Sequence, residues 1–577
     1  MSSEKIQAEL ANNIASLSGL ELEVVIKALT KPSQREHGDI AFPCFLLAKS
    51  WKLSPPECAK KLTLELKLPD GISEATPTGP YINFKFDRKQ IIESIVPKIL
   101  QEQHCFARKK LNNKNLIVEY SSPNIAKTFH VGHLRTTLIG HSLAQIYKHL
   151  GYNVISINHL GDWGTQFGFV WAGCKLWDVP NNANVDDLVE LYRKASNLRK
   201  AQDEGKVASQ DAGKPDVNQM ARDYFIKLEA ADPEATKFWQ WCLDISMDYF
   251  KAMYDRLGIK FDHYTGESFF RDQLATVEQK IRDSGVLEES RGALGVDCGK
   301  KLGFARVFTE DGRSLYITRD IATAIYREET FHPEKILYVV ANQQSLHFAQ
   351  LIDILHKMRH PVAEKMAHVA FGFVPGMKTR EGGGISLKEF INEAKERALE
   401  AYKTEVQKRP EGTDENLIAE AVAIGSTYFY FLSNSNIKDF QFSWTEALNF
   451  QGDSGPYLQY AFARLNSIEA NAKKAGIDTS LFDASLLKEE SAYELALLLT
   501  EFAKVVEKAG IDYEPYYIAH YLVDLAKAFS RSYRDLFVVS ENVANPLASS
   551  RLALFMAVKH VLGSGLKLLG VPLVEKM

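Results

Sequence analysis

The feature that most constrains this fold lies between residues 116 and 159. An apolar run, LIVEY (116–120), suited to a strand buried on both faces, enters the loop SSPNIAKTF, and a helical pattern follows from about His133. Leu134, Leu138, Ile146, Tyr147 and Leu150 are spaced to bury one face of that helix, and the strand NVISINH comes directly after it. Strand, helix and strand in this order make a βαβ unit, which builds a doubly wound, parallel α/β sheet. Further strand-like segments, LYITRD (315–320) and ILYVVAN (336–342), each run into a helical pattern and carry the second half of the sheet to about residue 446.

Two regions flank this sheet. Residues 1–108 read as an α+β unit: helical periodicity from Ile6 to Leu17, a turn-rich REHGDIAFP, an amphipathic stretch from Pro55 to Leu66, and alternating YINFKF before a last helix. From Ala447 to Met577 strand signals fade, and Leu, Ala and Tyr at helical spacing predict an all-α domain. Three domains are therefore expected, at 1–108, 109–446 and 447–577, with the polar stretch 178–216 as a solvated insertion to which no chemistry is assigned.

Composition excludes several classes. The formal charge of −4 over 577 residues fits no globally basic polymer binder, so any nucleic-acid contact must come from local patches. The six cysteines lie far apart with no C-x-x-C pair, which predicts reduced thiols and no structural zinc. No signal-type apolar core opens the chain and no uninterrupted apolar stretch approaches membrane-span length, so a soluble cytoplasmic protein is expected.

The chemistry concentrates in the loop after LIVEY, where Glu119, Lys127, His130, Gly132 and His133 collect at the carboxyl edge of the expected parallel sheet. A helix N-terminus attracts phosphate, a glycine lets backbone approach it, and imidazole N–H groups stabilise charge that develops on phosphate oxygens. H-x-G-H in this setting suits nucleotidyl transfer without naming a substrate. Ordinary surface histidines and a metal pair are the other readings, although no acidic or cysteine ligand stands at the offset a metal needs.

At these residues VEYSSPNIAKTFHVGHLRTTLIG resembles the signature of class I aminoacyl-tRNA synthetases in its arginyl form, with HVGH standing for the family's HIGH. The resemblance continues through INHLGDWGTQFG, LYITRDIATAIYR, YVVANQQSLHFAQ, FSWTEALNFQGDSGPYLQYAFAR and LLGVPLVEKM, and in GDIAFPCFLLAK and GPYINFKF at the N-terminal end. It implies a Rossmann-like catalytic domain between a tRNA-contacting N-terminal domain and a helical anticodon-binding domain. It further implies that His130 and His133 hold the ATP phosphates, that Glu119, Ser122 and Asn124 contact the amino acid, and that Tyr316, Asp320 and Gln344 complete its pocket. Carboxylates such as Glu119 and Asp320 suit a guanidinium, a planar fork of five donors.

One motif departs from the class. Where a KMSKS sequence is usual, this chain has PGMKTREGGGIS (375–386), in which Lys378 and Arg380 are the basic groups facing ATP, and the resemblance assigns the missing charge to Lys127. In the helical region 15 acidic residues stand against 13 basic ones, so RNA contact must be local. Tyr457, Tyr460 and Arg464 share one helical face, and Arg531, Tyr533 and Arg534 make a compact cluster suited to stacking bases and meeting phosphates.

The expected activity is therefore ATP-dependent ligation of L-arginine to tRNA-Arg through an arginyl-adenylate, with ATP entering as its Mg²⁺ complex, by a monomer with no membrane partner. A small-molecule nucleotidyltransferase and a non-catalytic tRNA-binding relative are the alternatives. The first leaves both outer domains without purpose, and the second would have lost the group of reactive residues found here.

Overall fold

The computed structural model describes all residues except 1–2, 33, 128, 291, 311, 313, 376–385, 406–413 and 541–542. Near the N-terminus the helix Ser3–Ser18 and the helix Pro55–Glu65 accompany a three-stranded antiparallel sheet, β1 (Ile40–Pro43), β2 (Ile72–Thr78) and β3 (Tyr81–Phe86), in the order β1-β3-β2. Ser54 and Glu57 close a reciprocal capping box at the start of the second helix, satisfying donors that a helix end leaves open. The stretch read as a turn, REHGDIAFP, contains β1, whose four residues are all buried.

The central sheet has five parallel strands. β4 (Asn115–Glu119) and β5 (Asn153–Leu160) flank the crossover helix Leu134–His149 in sequence, as the apolar periodicity requires, and β6 (His263–Gly266) follows. A small antiparallel sheet, β7 (Glu288–Ser290), β8 (Ala293–Asp297) and β9 (Phe304–Phe308), precedes β10 (Lys335–Ala341) and β11 (Met366–Phe371). The central order is β11-β10-β4-β5-β6, with Glu119 in register between Tyr338 and Ile157. Alternation along the strands divides the core: Leu116, Val118, Leu337 and Val339 pack with Leu134 and Leu138 on one face, while Ile117, Ile157, Ile336 and Tyr338 pack with Ile317, Ile321, Leu351 and Ile354 on the other.

Three expectations fail. LYITRD forms no strand, because Tyr316–Phe331 is a helix whose buried Ile317, Ile321, Ala324 and Ile325 follow the helical period; six residues of mixed pattern do not distinguish the two. Among the described residues the last strand of the sheet ends at Phe371 rather than near residue 446, and the helices Leu387–Glu405 and Glu415–Leu432 come after it. The polar insertion contains the helix Val185–Asp203, which buries Val185, Leu188, Leu191, Ala195 and Leu198 beside the helices Gln166–Leu176 and Val217–Glu229.

The C-terminal domain is helical as expected. Its last helix, Asn545–Leu569, is long and apolar enough to cross a membrane, which a search for an uninterrupted apolar run misses, but 83% of its most apolar window is buried inside the protein. It is a core helix, packed against Gly455–Lys474, Glu490–Ile511, Tyr516–Asp535 and Arg88–Glu102. All six cysteines are free thiols, four of them buried.

Candidate active site

The loop leaving β4 is held in a costly conformation. Ser121, Ser122 and Ala126 have φ of 74°, 49° and 56°, in the left-handed region that non-glycine residues avoid. Side chains from three other elements fix it: the N–H of Ser121 donates to Thr136 Oγ1 (3.2 Å), that of Ser122 to Asn158 Oδ1 (3.2 Å), and that of Ala126 to Ser246 Oγ (3.0 Å). Strain stabilised from several sides is characteristic of a loop that must present groups in one geometry.

At its end the two imidazoles face each other with ring centroids 4.0 Å apart. The Gly132 N–H donates to His130 Nδ1 at 3.0 Å, so the neutral ring carries its proton on Nε2. A Cβ at Gly132 would stand 2.7 Å from that ring, so any larger residue there would displace the folded-back imidazole. Burial, and then His130, push the His133 pKa down to about 3, and burial with Lys127 lowers that of His130. Both rings are consequently neutral N–H donors at physiological pH rather than cations.

These residues line a cavity of about 670 Å³ with Ser121, Ser122, Arg135, Val339, Ala341 and Phe371–Val374. Its walls are mostly apolar at the ends of β10 and β11, which suits a flat base, and the imidazoles stand at one end. Arg135, 2% exposed, closes the floor by donating to four carbonyls, those of Gly372 (2.6 Å), Asn436 (2.8 Å), Lys438 (2.8 Å) and Ser435 (3.1 Å). Burial lowers its pKa to about 10 against the opposing pull of Asp439 and Glu514, so it keeps its charge.

Across the same sheet edge, on the Tyr316–Phe331 side, carboxylates gather. Glu119 Oε2 meets Arg327 Nη1 at 2.5 Å, Asp320 Oδ2 meets His347 Nε2 at 2.6 Å, and Glu267 Oε2 meets Arg319 Nη1 at 2.7 Å. Tyr316 is half exposed at 52%, but its hydroxyl titrates above its ordinary range because Asp320 first, and then the partial desolvation of the hydroxyl, Glu267 and Glu119, oppose its ionisation. One phenol thus reports three carboxylates around it. Summed over Glu119, Glu267, Asp320, Arg319 and Arg327, the cluster has one uncompensated negative charge. Glu267 lies in none of the segments that carry the family resemblance, and its placement comes from following β6 at the carboxyl edge of the sheet; Arg327 closes the segment LYITRDIATAIYR, but the resemblance gave it no role.

The remaining candidates separate. Ser122 lines the cavity, its Oγ buried without a partner among the described residues, and Asn124 bridges to Gly161, where a Cβ would stand 2.2 Å from Asn124 Oδ1. Gln344 is exposed, and its neighbour Gln343 is the one at the cavity wall. Lys127 is half-buried and has no ion-pair partner among the described residues. Lys378 and Arg380 lie outside the described residues; on either side of them Val374 lines the cavity and Ser386 bridges to His130.

On the helical domain the Arg464 guanidinium lies 4.5 Å from the Tyr533 ring centroid and 5.8 Å from that of Tyr460, one exposed stacking cluster. Tyr457 instead turns to Ser530 (3.1 Å), Arg531 to Glu494 (3.3 Å), and Arg534 is exposed.

Three family models match in sequence: the arginyl tRNA synthetase N-terminal domain over residues 4–86, the catalytic domain of class I (R) tRNA synthetases over 95–444, and the DALR anticodon-binding domain over 458–577. The chain is 38% identical to the arginine–tRNA ligase of Halothermothrix orenii, over 100% of this chain and 99% of that one. It is 37% identical to that of Clostridioides difficile, over 98% of each. Among solved structures it resembles arginyl-tRNA synthetase of Thermus thermophilus, with a TM-score of 0.78, 25% identity and 100% of both chains covered. The fold also matches the Plasmodium falciparum structure at a TM-score of 0.81 and 23% identity, over 100% and 99% of the chains.

Proposed function

The chain belongs to the class I arginyl-tRNA synthetase family and is an ATP-dependent arginine–tRNA ligase, and we propose that the two faces of one sheet edge divide its reaction between them. On this reading ATP lies in the cavity, its triphosphate against His130 Nε2, His133 and the backbone at Gly132. The arginine guanidinium enters among Asp320, Glu119 and Tyr316, with Ser122, Asn124 and Gln344 on the rest of the amino acid. The substrate's two ends are then fixed on opposite sides of the sheet edge.

The arginine carboxylate attacks the α-phosphorus, the bond to the pyrophosphate oxygen breaks, and arginyl-adenylate forms. No covalent side chain is needed, since positioning and charge stabilisation do the work. Mg²⁺ enters on the triphosphate as part of the substrate. Neutral imidazoles cannot balance the departing pyrophosphate, and that role is given to Lys127, with Lys378 and Arg380 as the alternative source. A ribose hydroxyl of the terminal adenosine of tRNA-Arg then attacks the adenylate carbonyl and AMP leaves.

The observation that carries this reading is the single uncompensated negative charge of the carboxylate cluster, set across the edge from the imidazole pair: a site for one cation beside a site for phosphate. ATP–pyrophosphate exchange with tRNA-Arg present tests it. Exchange dependent on arginine and lost in Asp320→Asn is expected; exchange unaffected by that change would refute the assigned pocket. Tyr460, Arg464 and Tyr533, with Arg531 and Arg534, are the proposed tRNA surface of the helical domain. Domain boundaries near residues 108 and 446, a monomeric state and a cytoplasmic location complete the proposal, and light scattering of the purified protein checks the monomer.

A further inference from the structure

Arg327 is one of the largest fully buried side chains of the protein, at 1% exposure, and among the described residues its guanidinium meets Glu119 and the ring of Tyr338, 5.3 Å away. None of its three nitrogens makes a hydrogen bond of good geometry among those residues, so Glu119 holds it as an ion pair through Nη1. An ion pair kept for stability alone is a poor use of a core position, since well-packed apolar residues do as well or better, and donors without acceptors add a further penalty. The pair also has an asymmetry. Both side chains are buried, Arg327 at 1% exposure and Glu119 at 8%, so the little access the pair keeps lies on the carboxylate.

Placement explains the arrangement. Tyr316, Asp320 and Arg327 lie on one helix at i, i+4 and i+11, close to whole turns apart, and so project from the same face. Glu119 ends β4, and its register partner on β10 is Tyr338, the residue whose ring Arg327 covers. Strand and helix thus deliver Glu119 and Arg327 to each other on the helix face that also carries Asp320.

We propose that Arg327 is a positioning residue for arginine selection: it clamps one oxygen of Glu119 from behind, cancels that residue's charge, and leaves the other oxygen aimed at the incoming guanidinium. Glu119 then contributes direction, and the uncompensated charge of the cluster contributes attraction. A planar fork exploits both, while a lysine ammonium, a point charge, exploits only the second. Freeing Glu119 from Arg327 turns a directional acceptor into a loose second anion, which welcomes any cation and distinguishes arginine less.

This inference rests on the reading of Glu119 as an arginine contact, and the experiment separates the two. Steady-state ATP–pyrophosphate exchange with tRNA-Arg is measured for Arg327→Met, Arg327→Lys and Glu119→Gln, with arginine and ATP varied and lysine added as competitor. Arg327→Met should raise the KM for arginine about tenfold, leave the KM for ATP within about twofold, and tighten inhibition by lysine relative to arginine binding. Arg327→Lys, which restores charge without the fork, should recover part of the arginine KM. Equal damage to both KM values, or an unchanged arginine-to-lysine ratio, would overturn the proposal and leave the pair a structural one. Should Arg327→Met fail to fold, Arg327→Lys decides: a rise confined to the arginine KM supports the inference and none refutes it. If Glu119→Gln leaves the arginine KM unmoved, the assignment of Glu119 itself is wrong; if it raises that KM while the Arg327 variants do not, only the role of Arg327 falls.

Discussion

Arg135 donates to the carbonyl oxygen of Gly372 at 2.6 Å, and that bond ties the helix following the paired imidazoles to the far wall of the nucleotide cavity. The same guanidinium holds the carbonyls of Ser435, Asn436 and Lys438, so the floor of the site is assembled from segments some 240 to 300 residues apart in sequence. Glu514 secures the outer side of that floor, accepting from the Asn436 N–H at 2.9 Å and the Ser435 hydroxyl at 2.8 Å.

Arg135→Met should therefore damage ATP binding more than arginine binding. It strips the donor from several buried carbonyls, each costing about 1–3 kcal/mol when unpaired. A KM for ATP raised about tenfold or more, with a lowered urea midpoint, is expected from exchange kinetics and denaturation. A variant with normal ATP kinetics would return Arg135 to a purely structural role.

Asp320→Asn should lower kcat/KM for arginine about 100-fold while the KM for ATP changes little, because a buried guanidinium loses its charged acceptor. Citrulline, isosteric with arginine but uncharged, should be a very poor substrate of the unmodified enzyme. Charging assays over both amino acids measure this.

Lys127→Ala should depress kcat for adenylate formation about 100-fold with little change in the KM for arginine, since its attraction for pyrophosphate strengthens as that group departs. Exchange is measured with and without tRNA-Arg. Near-normal exchange in Lys127→Ala beside a dead Lys378→Ala would reassign the charge to the 375–386 loop.

Arg464→Ala should weaken tRNA binding and flatten its salt dependence, because the Arg464 guanidinium anchors the exposed Tyr460 and Tyr533 rings. The double change of Arg531 and Arg534 to alanine should reduce the slope by about 0.7–0.9 for each phosphate that is no longer neutralised. Filter binding across a salt series reads both, and an unchanged slope would make these arginines ordinary surface residues.

Stability should fall on acidification below the usual histidine range. Burial holds His133 at about 3 and His141 and His149 at about 4, below their unfolded values near 6.5. The unfolded chain therefore binds more protons between those limits, and stability rises with pH there by about 1.4 kcal/mol per unit for each group. The urea midpoint should be clearly lower at about pH 5 than at about pH 7, and His141→Asn should shallow that dependence.

Much of the site was legible because its signals are local. A buried strand, a loop carrying H-x-G-H and an amphipathic helix follow one another within some forty residues, and each is recognised by its own period or spacing, so β4, the imidazole pair and the Leu134–His149 helix stand where expected, while the strain of the loop was not legible. The expectation for LYITRD failed for the same reason: over six residues, period 2 and period 3.6 look alike, and only the packing of Ile317, Ile321 and Ile325 behind the sheet shows which one is used.

By itself the sequence determined the parallel α/β core, the H-x-G-H loop at its edge, the flanking domains and the family. Only the tertiary structure decided how the charges are shared: that Arg327 clamps Glu119, Arg319 holds Glu267, His347 holds Asp320 and Arg135 gathers four carbonyls. The physical reason is range. Periodicity and capping act between residues a few positions apart, whereas a buried charge is stable only beside a partner brought from a distant segment, and that partner has no fixed spacing in the chain.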